Sequence, residues 1–525
     1  MSTDIDPSAS PPQAFLQSLR LHRLLRGLIV LLSGFFLLLF LYTALRRIRY
    51  PFELEWVESG MLNSVRRITQ GQKLYVAPSI DFVPFLYAPL FFYVAAAFTK
   101  FTGVSYVAMR LVSALATLGC CVLIYAFVFT ETRRRLAAIA GAGLFLACYP
   151  LVEGFYDIGR TDSLFVFFML LALFFSRRGH PVLAALAWVL CFQTKQTLLP
   201  VAIVLLCVDW QRPRRILMGL GTFVLALGGS IAWMNHATHG WYSLYLFHIA
   251  GAFGISWRQA LLFFPNAVLA PMGVALLLGL AAWALTGVRL RSPVASFYAI
   301  VTVVLYGAIE YVAAHNGASA NAYMPVYAWT AVLFGVALHR LLAHLEQSDG
   351  PRAAVAATVV LAAAATQLAM FLYNPGRFIP PPAVLQARQR FIDQVRAIPG
   401  DVYIVDHNYY AVMAGKQPHA EGQSVGTAMD MPGKAFAANM RTEFDNALRS
   451  HRYSAVIVDG SLLSDPYHFH DAYPYALSAE GEEGRYLTSQ PSWILLPCET
   501  AAAIAPMVTR EDTSIRPGKC SAVQP

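Results

Sequence analysis

Charge is scarce in this chain. Asp, Glu, Lys and Arg make up 13% of its 525 residues, whereas apolar residues reach 57%. With a mean hydropathy of +0.51, that balance excludes an ordinary soluble globular protein, in which about a quarter of residues are charged. The seven cysteines include no CxxC or Cys/His spacing, and five of them fall in the hydrophobic part, which argues against a zinc framework. Cys498 and Cys520, near the C-terminus, can pair if that end is extracytoplasmic. A small-residue cleavage site is missing after the first apolar run, near Arg26–Leu45. That run is also too long for a cleaved signal.

What remains is apolar sequence in runs long enough to cross a bilayer, roughly 20 residues each. The net charge of +9 does not indicate nucleic acid, because the basic residues cluster in short loops between those runs, as the positive-inside rule requires of cytoplasmic loops. The clusters are Arg133–Arg135, Arg177-Arg178, Arg212 with Arg214-Arg215, Arg289 with Arg291, and His339-Arg340 running to Arg352. Placing them all inside puts spans near 106–130, 136–153, 163–176, 183–194, 197–209, 216–235, 265–287, 294–313, 322–338 and 353–373. With the first run, about eleven transmembrane helices are predicted. Residues 1–18 read as a disordered cytoplasmic tail followed by Arg20, Arg23 and Arg26, although Arg46, Arg47 and Arg49 argue for the opposite orientation of the first span. Residues 84–101, with two prolines and many aromatics, then become an interfacial or re-entrant helix rather than a span.

This topology leaves five segments on the far side: 46–105, 154–162, the turn at Lys195-Gln196, 236–264 and 314–321. The first contains Tyr50-Pro-Phe-Glu-Leu-Glu-Trp-Val-Glu-Ser-Gly60, where Glu53, Glu55 and Glu58 stand among aromatics. Carboxylates at a membrane boundary are costly and call for a reason. In the second segment, Asp157, Arg160 and Asp162 either neutralise one another as a cap or leave a spare acid for a sugar hydroxyl or a cation. Lys195 interrupts an apolar stretch, and either snorkels to headgroups or meets an anion such as phosphate. The 236–264 segment carries His236, His239, His248 and Arg258 among tryptophans. It reads as an aromatic belt more readily than as a metal site, with Arg258 available to clamp a phosphate.

The chain turns soluble-looking after residue 375. Strands at Asp401–Asp406 and Ser454–Asp459 alternate with helices near 383–397 and 433–450, which predicts a small α/β domain over 376–525. Tyr467-His-Phe-His-Asp471 is read as a solvated loop.

The order of these features resembles the GT-C superfamily of polyprenyl-phosphate-sugar glycosyltransferases. Bacterial proteins similar to protein O-mannosyltransferases and to the lipid A aminoarabinose transferase are the nearest in pattern. The resemblance rests on Glu-Trp-Val-Glu-Ser-Gly60, Val65–Gly71 with Tyr75, Phe85–Tyr93, Arg110–Leu115, Gly159-Arg-Thr-Asp162 and Thr194-Lys195. It implies a transmembrane catalytic module over 19–375, with juxtamembrane helices in the first outer loop and an extracytoplasmic C-terminal domain. Family members carry an Asp-Glu pair in the first outer loop, whose leading acid is the catalytic base. The matching positions here read Val57-Glu58, so the base falls to Glu58 or to the displaced Glu55. The second family acid falls on Asp162, the lysine on Lys195 and the phosphate-binding arginine on Arg258.

The resemblance implies an inverting transfer from a polyprenyl-phosphate-linked sugar to an acceptor glycan, lipid or protein at the outer face of a bacterial inner membrane. Glu53, Asp157 and Arg160 would help hold substrate, no resident metal is expected, and a divalent cation is left open. A lipid-linked-sugar transporter or a catalytically silent GT-C-like scaffold is the alternative.

Overall fold

The computed structural model describes residues 13–249, 254–286, 292–315, 318–347, 350–431, 434–460, 467, 469–479 and 491–508. Arg289, Arg291, His468 and Cys520 from the reading above lie outside these residues. Cys498 is disulfide-bonded.

Apolar sequence in lipid has no water to satisfy its peptide groups, so it must close its hydrogen bonds internally as helix. Each apolar run accordingly becomes one. The first helices are α1 (Gln13–Ile48), α2 (Val57–Thr69), α3 (Leu90–Thr102), α4 (Tyr106–Thr132) and α5 (Arg135–Ala147). They are followed by α6 (Asp162–Arg178), α7 (Pro181–Thr194), α8 (Leu199–Leu206) and α9 (Pro213–Thr238). Helices at Ala270–Leu285, Pro293–Ala313, Met324–Glu346 and Pro351–Ala369 complete the bundle. Every predicted span falls on a helix. Eight helices among the described residues are long and apolar enough to cross a membrane, while those at 181–194 and 196–206 are shorter. The chain is a multi-pass membrane protein.

Two boundaries differ from expectation. Helix α1 begins at Gln13, inside the stretch expected to be a tail. The last-but-three span is preceded by an added turn, since helix runs from Trp257 through a π-helical stretch at Phe264–Leu269 into Ala270–Leu285. Proline marks the starts of α7, α9 and the helices at 293 and 351, where its missing N–H costs no hydrogen bond. At 13 residues, α3 is about 20 Å long, too short to span the roughly 30 Å of hydrocarbon.

The bundle centre is α4, α5, α6 and the helix Met324–Glu346, most of whose side chains are buried. The closest approach uses glycine. A Cβ on Gly335 would lie 2.7 Å from the carbonyl oxygen of Ala137 on α5, so only a bare Cα lets these backbones meet.

The C-terminal domain is α/β, as the alternation predicted. Strand β1 (Val402–Ile404) pairs parallel with β2 (Ala455–Asp459) through a helical crossover. Two further strands, β3 (Tyr475–Ser478) and β4 (Pro491–Leu496), were not read from sequence. They extend the sheet antiparallel, in the order β1-β2-β4-β3.

The domain is docked on the first long loop. The Ala420 N–H donates to the Ile80 carbonyl at 3.0 Å and the Tyr409 N–H to Ser59 Oγ at 3.3 Å. Arg452 pairs with Asp81 at 2.8 Å. Gly335→Val is expected to lower the stability of the detergent-solubilised protein by about 1–3 kcal/mol, read as a drop in melting temperature. An unchanged melting temperature would show that the helices can separate without cost.

Candidate active site

Five separate segments meet at one end of the bundle, and one buried ion pair fixes the first of them. Arg110 sits one turn into α4. Its guanidinium donates to the carbonyl oxygens of Arg47 (3.0 Å), Tyr50 (2.6 Å) and Phe52 (2.6 Å). It also grips Glu58 with two bonds, Nη2 to Oε2 at 2.7 Å and Nε to Oε1 at 3.0 Å. Glu58 further accepts the N–H groups of Leu54 and Gly159, both at 2.6 Å. Both side chains are fully buried. A Cβ at Gly159 would stand 3.0 Å from Glu58 Oε1, so glycine is what admits this approach. Burial opposes ionisation of Glu58, yet Arg110 and the two backbone N–H groups outweigh it and hold the carboxyl below its ordinary range.

Two more of the expected site residues are tied up in structure. Asp157 is fully buried against Arg47 and accepts the Tyr149 hydroxyl at 2.9 Å. Glu53 is buried beside His407, whose Nε2 faces Asp459 at 2.8 Å, and the Glu53 carbonyl accepts from Arg388. These contacts join the first loop to the bundle and to the C-terminal domain.

The remaining acids form a chain of alternating charge. Arg160 Nη1 donates to Glu55 Oε2 at 2.8 Å, and its Nη2 to the Tyr87 hydroxyl at 2.8 Å. Its Nε lies 3.9 Å from Asp162 Oδ2, while Lys195 Nζ donates to Asp162 Oδ1 at 2.7 Å. Asp162 Oδ2 has no hydrogen-bond partner among the described residues. Arg160 and Lys195 line a cavity of about 780 Å³. Tyr87, Tyr245 and Asn321 share its wall, Val201 and Val312 give it an apolar side, and Gln423 and Ser424 reach it from the C-terminal domain. Gln196 closes the join by donating to the Leu86 carbonyl at 2.7 Å.

Glu55 stands directly behind Arg160, its side chain 9% exposed. Burial raises its pKa, and Arg160 only partly reverses the shift. The arrangement offers two cations to an anion in the cavity and keeps a carboxylate of raised basicity next to them. Glu55 and Asp162 already hold these two cations.

Glu55, Arg160, Asp162 and Lys195 are therefore brought together, whereas Glu53, Glu58 and Asp157 lie in neighbouring buried pairs. Arg258 is exposed and does not line the cavity. Arg110, Tyr87 and Asn321 were given no role from sequence. For Arg110 a signal existed, since an arginine one turn into an apolar span is expensive without a buried partner. Glu58→Gln is expected to cost about 3–5 kcal/mol of stability by leaving Arg110 buried and unpaired. Because the folded-state pKa of Glu58 lies below its unfolded value, the pair's contribution is present at neutral pH and is lost as pH falls through the depressed value. Melting curves of wild type and variant from pH 7 to 3 would check this, the two converging at the acid end. Equal melting temperatures at pH 7 would overturn it.

Residues 85–309 match the model of glycosyltransferase family 87. No curated protein matches the chain. Among solved structures, ArnT from Cupriavidus metallidurans bound to undecaprenyl phosphate is 14% identical over 89% of this chain and 98% of its own, with a TM-score of 0.55. Its apo form gives 13% identity over 89% and 97%, and a TM-score of 0.56. The archaeal oligosaccharyltransferase AglB from Archaeoglobus fulgidus, in complex with an inhibitory peptide and a dolichol-phosphate, is 11% identical over 92% of this chain and 75% of its own, with a TM-score of 0.51. Arg160, Asp162 and Lys195 fall inside the matched residues, and Glu55 and Glu58 precede them. The chain has the fold of the GT-C membrane glycosyltransferases and bears the sequence pattern of glycosyltransferase family 87 across much of its bundle.

Proposed function

We propose that this protein transfers a sugar from a polyprenyl-phosphate carrier to an acceptor hydroxyl, with inversion, and that Glu55 is the general base. The observation that carries the reading is the pairing of Arg160 and Lys195 on one cavity wall with Glu55 immediately behind. The carrier phosphate sits against Lys195 and Arg160, and its isoprenoid chain follows the apolar side formed by Val201 and Val312. An arriving phosphate draws on the same guanidinium that holds Glu55, which weakens that ion pair and raises the basicity of the carboxylate further.

Glu55 takes the proton of the acceptor hydroxyl as its oxygen bonds to the anomeric carbon. The bond from that carbon to the phosphate oxygen breaks on the opposite face. Charge growing on the departing phosphate is offset by Lys195 and Arg160. Asp162 is a positioning residue for Lys195. Glu58 has every lone pair engaged, so it shapes the loop and does not exchange protons.

The site faces the extracytoplasmic side of a bacterial inner membrane, with the N-terminus inside. Supporting this, Arg26, Arg134, Arg135 and His339 gather around a separate cavity, at the ends of α4, α5 and the Met324–Glu346 helix remote from the site. Basic clusters belong on the cytoplasmic side.

Sugar transfer from a radiolabelled polyprenyl-phosphate donor pool to endogenous acceptors, in membranes expressing each variant, tests the assignment. Glu55→Gln is expected to lose about 10²–10⁴ in rate at unchanged protein level. Transfer by wild type should fall as pH drops through the raised pKa of Glu55, because the base works deprotonated. Full activity in Glu55→Gln would remove the mechanism, and no transfer by wild type would favour the silent-scaffold reading.

A further inference from the structure

A second cavity, of about 560 Å³, lies between the C-terminal turns of α2 and the C-terminal domain. Arg66, Arg67 and Arg452 line it, against Asp81 and Asp401. The two aspartates are already engaged: His419 bridges them, Nδ1 to Asp81 and Nε2 to Asp401, both at 2.9 Å, and Arg452 takes Asp81 as well. No carboxylate pairs with Arg66 or Arg67 among the described residues. Arg67 lies over the Phe82 ring at 3.8 Å, and its Nε is buried without a hydrogen-bond partner. Asn63 Oδ1, in the same wall, is also buried and unpartnered. Burial first, and then the neighbouring Arg66, hold Arg67 below its ordinary pKa. Two adjacent arginines that no carboxylate pairs, facing a polar cavity, describe a site suited to an anion.

The same two chain segments wall both cavities. Asp81 borders the polar cavity while Val83–Tyr87 border the larger one, and Gln417–His419 border the first while Gln423, Ser424, Thr427 and Ala428 border the second. Residues 81 and 83 are at most about 7 Å apart along the chain. The two cavities are therefore only a few residues apart along each of these segments. The amides of Asn63, Gln70, Gln72 and Gln417 around the arginines suit sugar hydroxyls.

We infer that this cavity binds a phosphate or carboxylate group carried by a glycan acceptor and so selects anionic acceptors for the transfer reaction. The acceptor role rests on the function proposed above, whereas anion binding does not. Two sources share this chemistry, a phosphorylated sugar and a uronic acid.

Binding is read directly on purified full-length protein in detergent, with an environment-sensitive fluorophore on Gln70→Cys at the cavity edge. Inorganic phosphate, glucuronate and neutral methyl glucoside are titrated in turn. A saturable response to phosphate or glucuronate, absent with methyl glucoside, is expected. Phosphate alone would assign a phosphorylated acceptor and glucuronate alone a uronic acid. Arg66→Gln and Arg67→Gln should each weaken the response at least tenfold, Arg66→Lys should restore most of it, and Lys195→Gln should leave it in place because that residue lines the other cavity. In transfer assays Arg66→Gln should raise the acceptor KM at constant kcat. No saturable response, or one that survives Arg66→Gln and Arg67→Gln together, would overturn the inference. A response from a protein that transfers no sugar would retain the anion site and reject the catalytic reading.

Discussion

The bidentate grip of Arg110 on Glu58 is the interaction on which the rest of this site depends. One guanidinium holds three carbonyls of the segment leaving α1 and the first carboxylate of α2. The carboxylate in turn holds the backbone of Gly159, next to Arg160. A charge pair this deep gains little net stability over an apolar pair of the same volume. What it secures is geometry: the loop from the first helix and the loop before α6 are joined at a fixed point, and Glu55 and Arg160 meet as a consequence.

The C-terminal domain belongs to the same construction. Its His407 and Arg388 close over Glu53, and the helix beginning at Gly422 supplies part of the wall of the larger cavity. The domain is thus a lid on the first loop rather than an appendage. Its junction combines ionic and polar contacts with aromatic ones, such as Tyr106 against Tyr409 and Phe52 against Tyr410.

The placement of charge also favours the proposed enzyme over a transporter. A translocation path for a lipid-linked sugar would carry ionisable groups through the bundle at mid-membrane depth. Here Glu55, Arg160, Asp162 and Lys195 all collect at the ends of their helices, and the centre of the bundle is closed by alanine, glycine and aromatic packing such as Gly335 against Ala137.

The sequence by itself determined the membrane class, the positions of the spans and the presence of a C-terminal α/β unit. Each follows from a local rule: an apolar run in lipid must be helical, and alternating strands and helices must share a sheet. Strands β3 and β4 escaped because short apolar stretches such as Pro491–Leu496 carry no periodicity that separates strand from helix. Only the tertiary structure decided which partner each acid takes. By spacing, Asp157, Arg160 and Asp162 could neutralise one another or leave an acid over; in the structure Asp157 pairs with Arg47, while Arg160 reaches back to Glu55 and Lys195 to Asp162. Glu55 and Glu58 are three residues apart and chemically identical, and nothing in the sequence distinguishes them. What does is the approach of Arg110 to one and Arg160 to the other, because the charge state of a buried carboxylate is set by partners that only chain folding brings within reach.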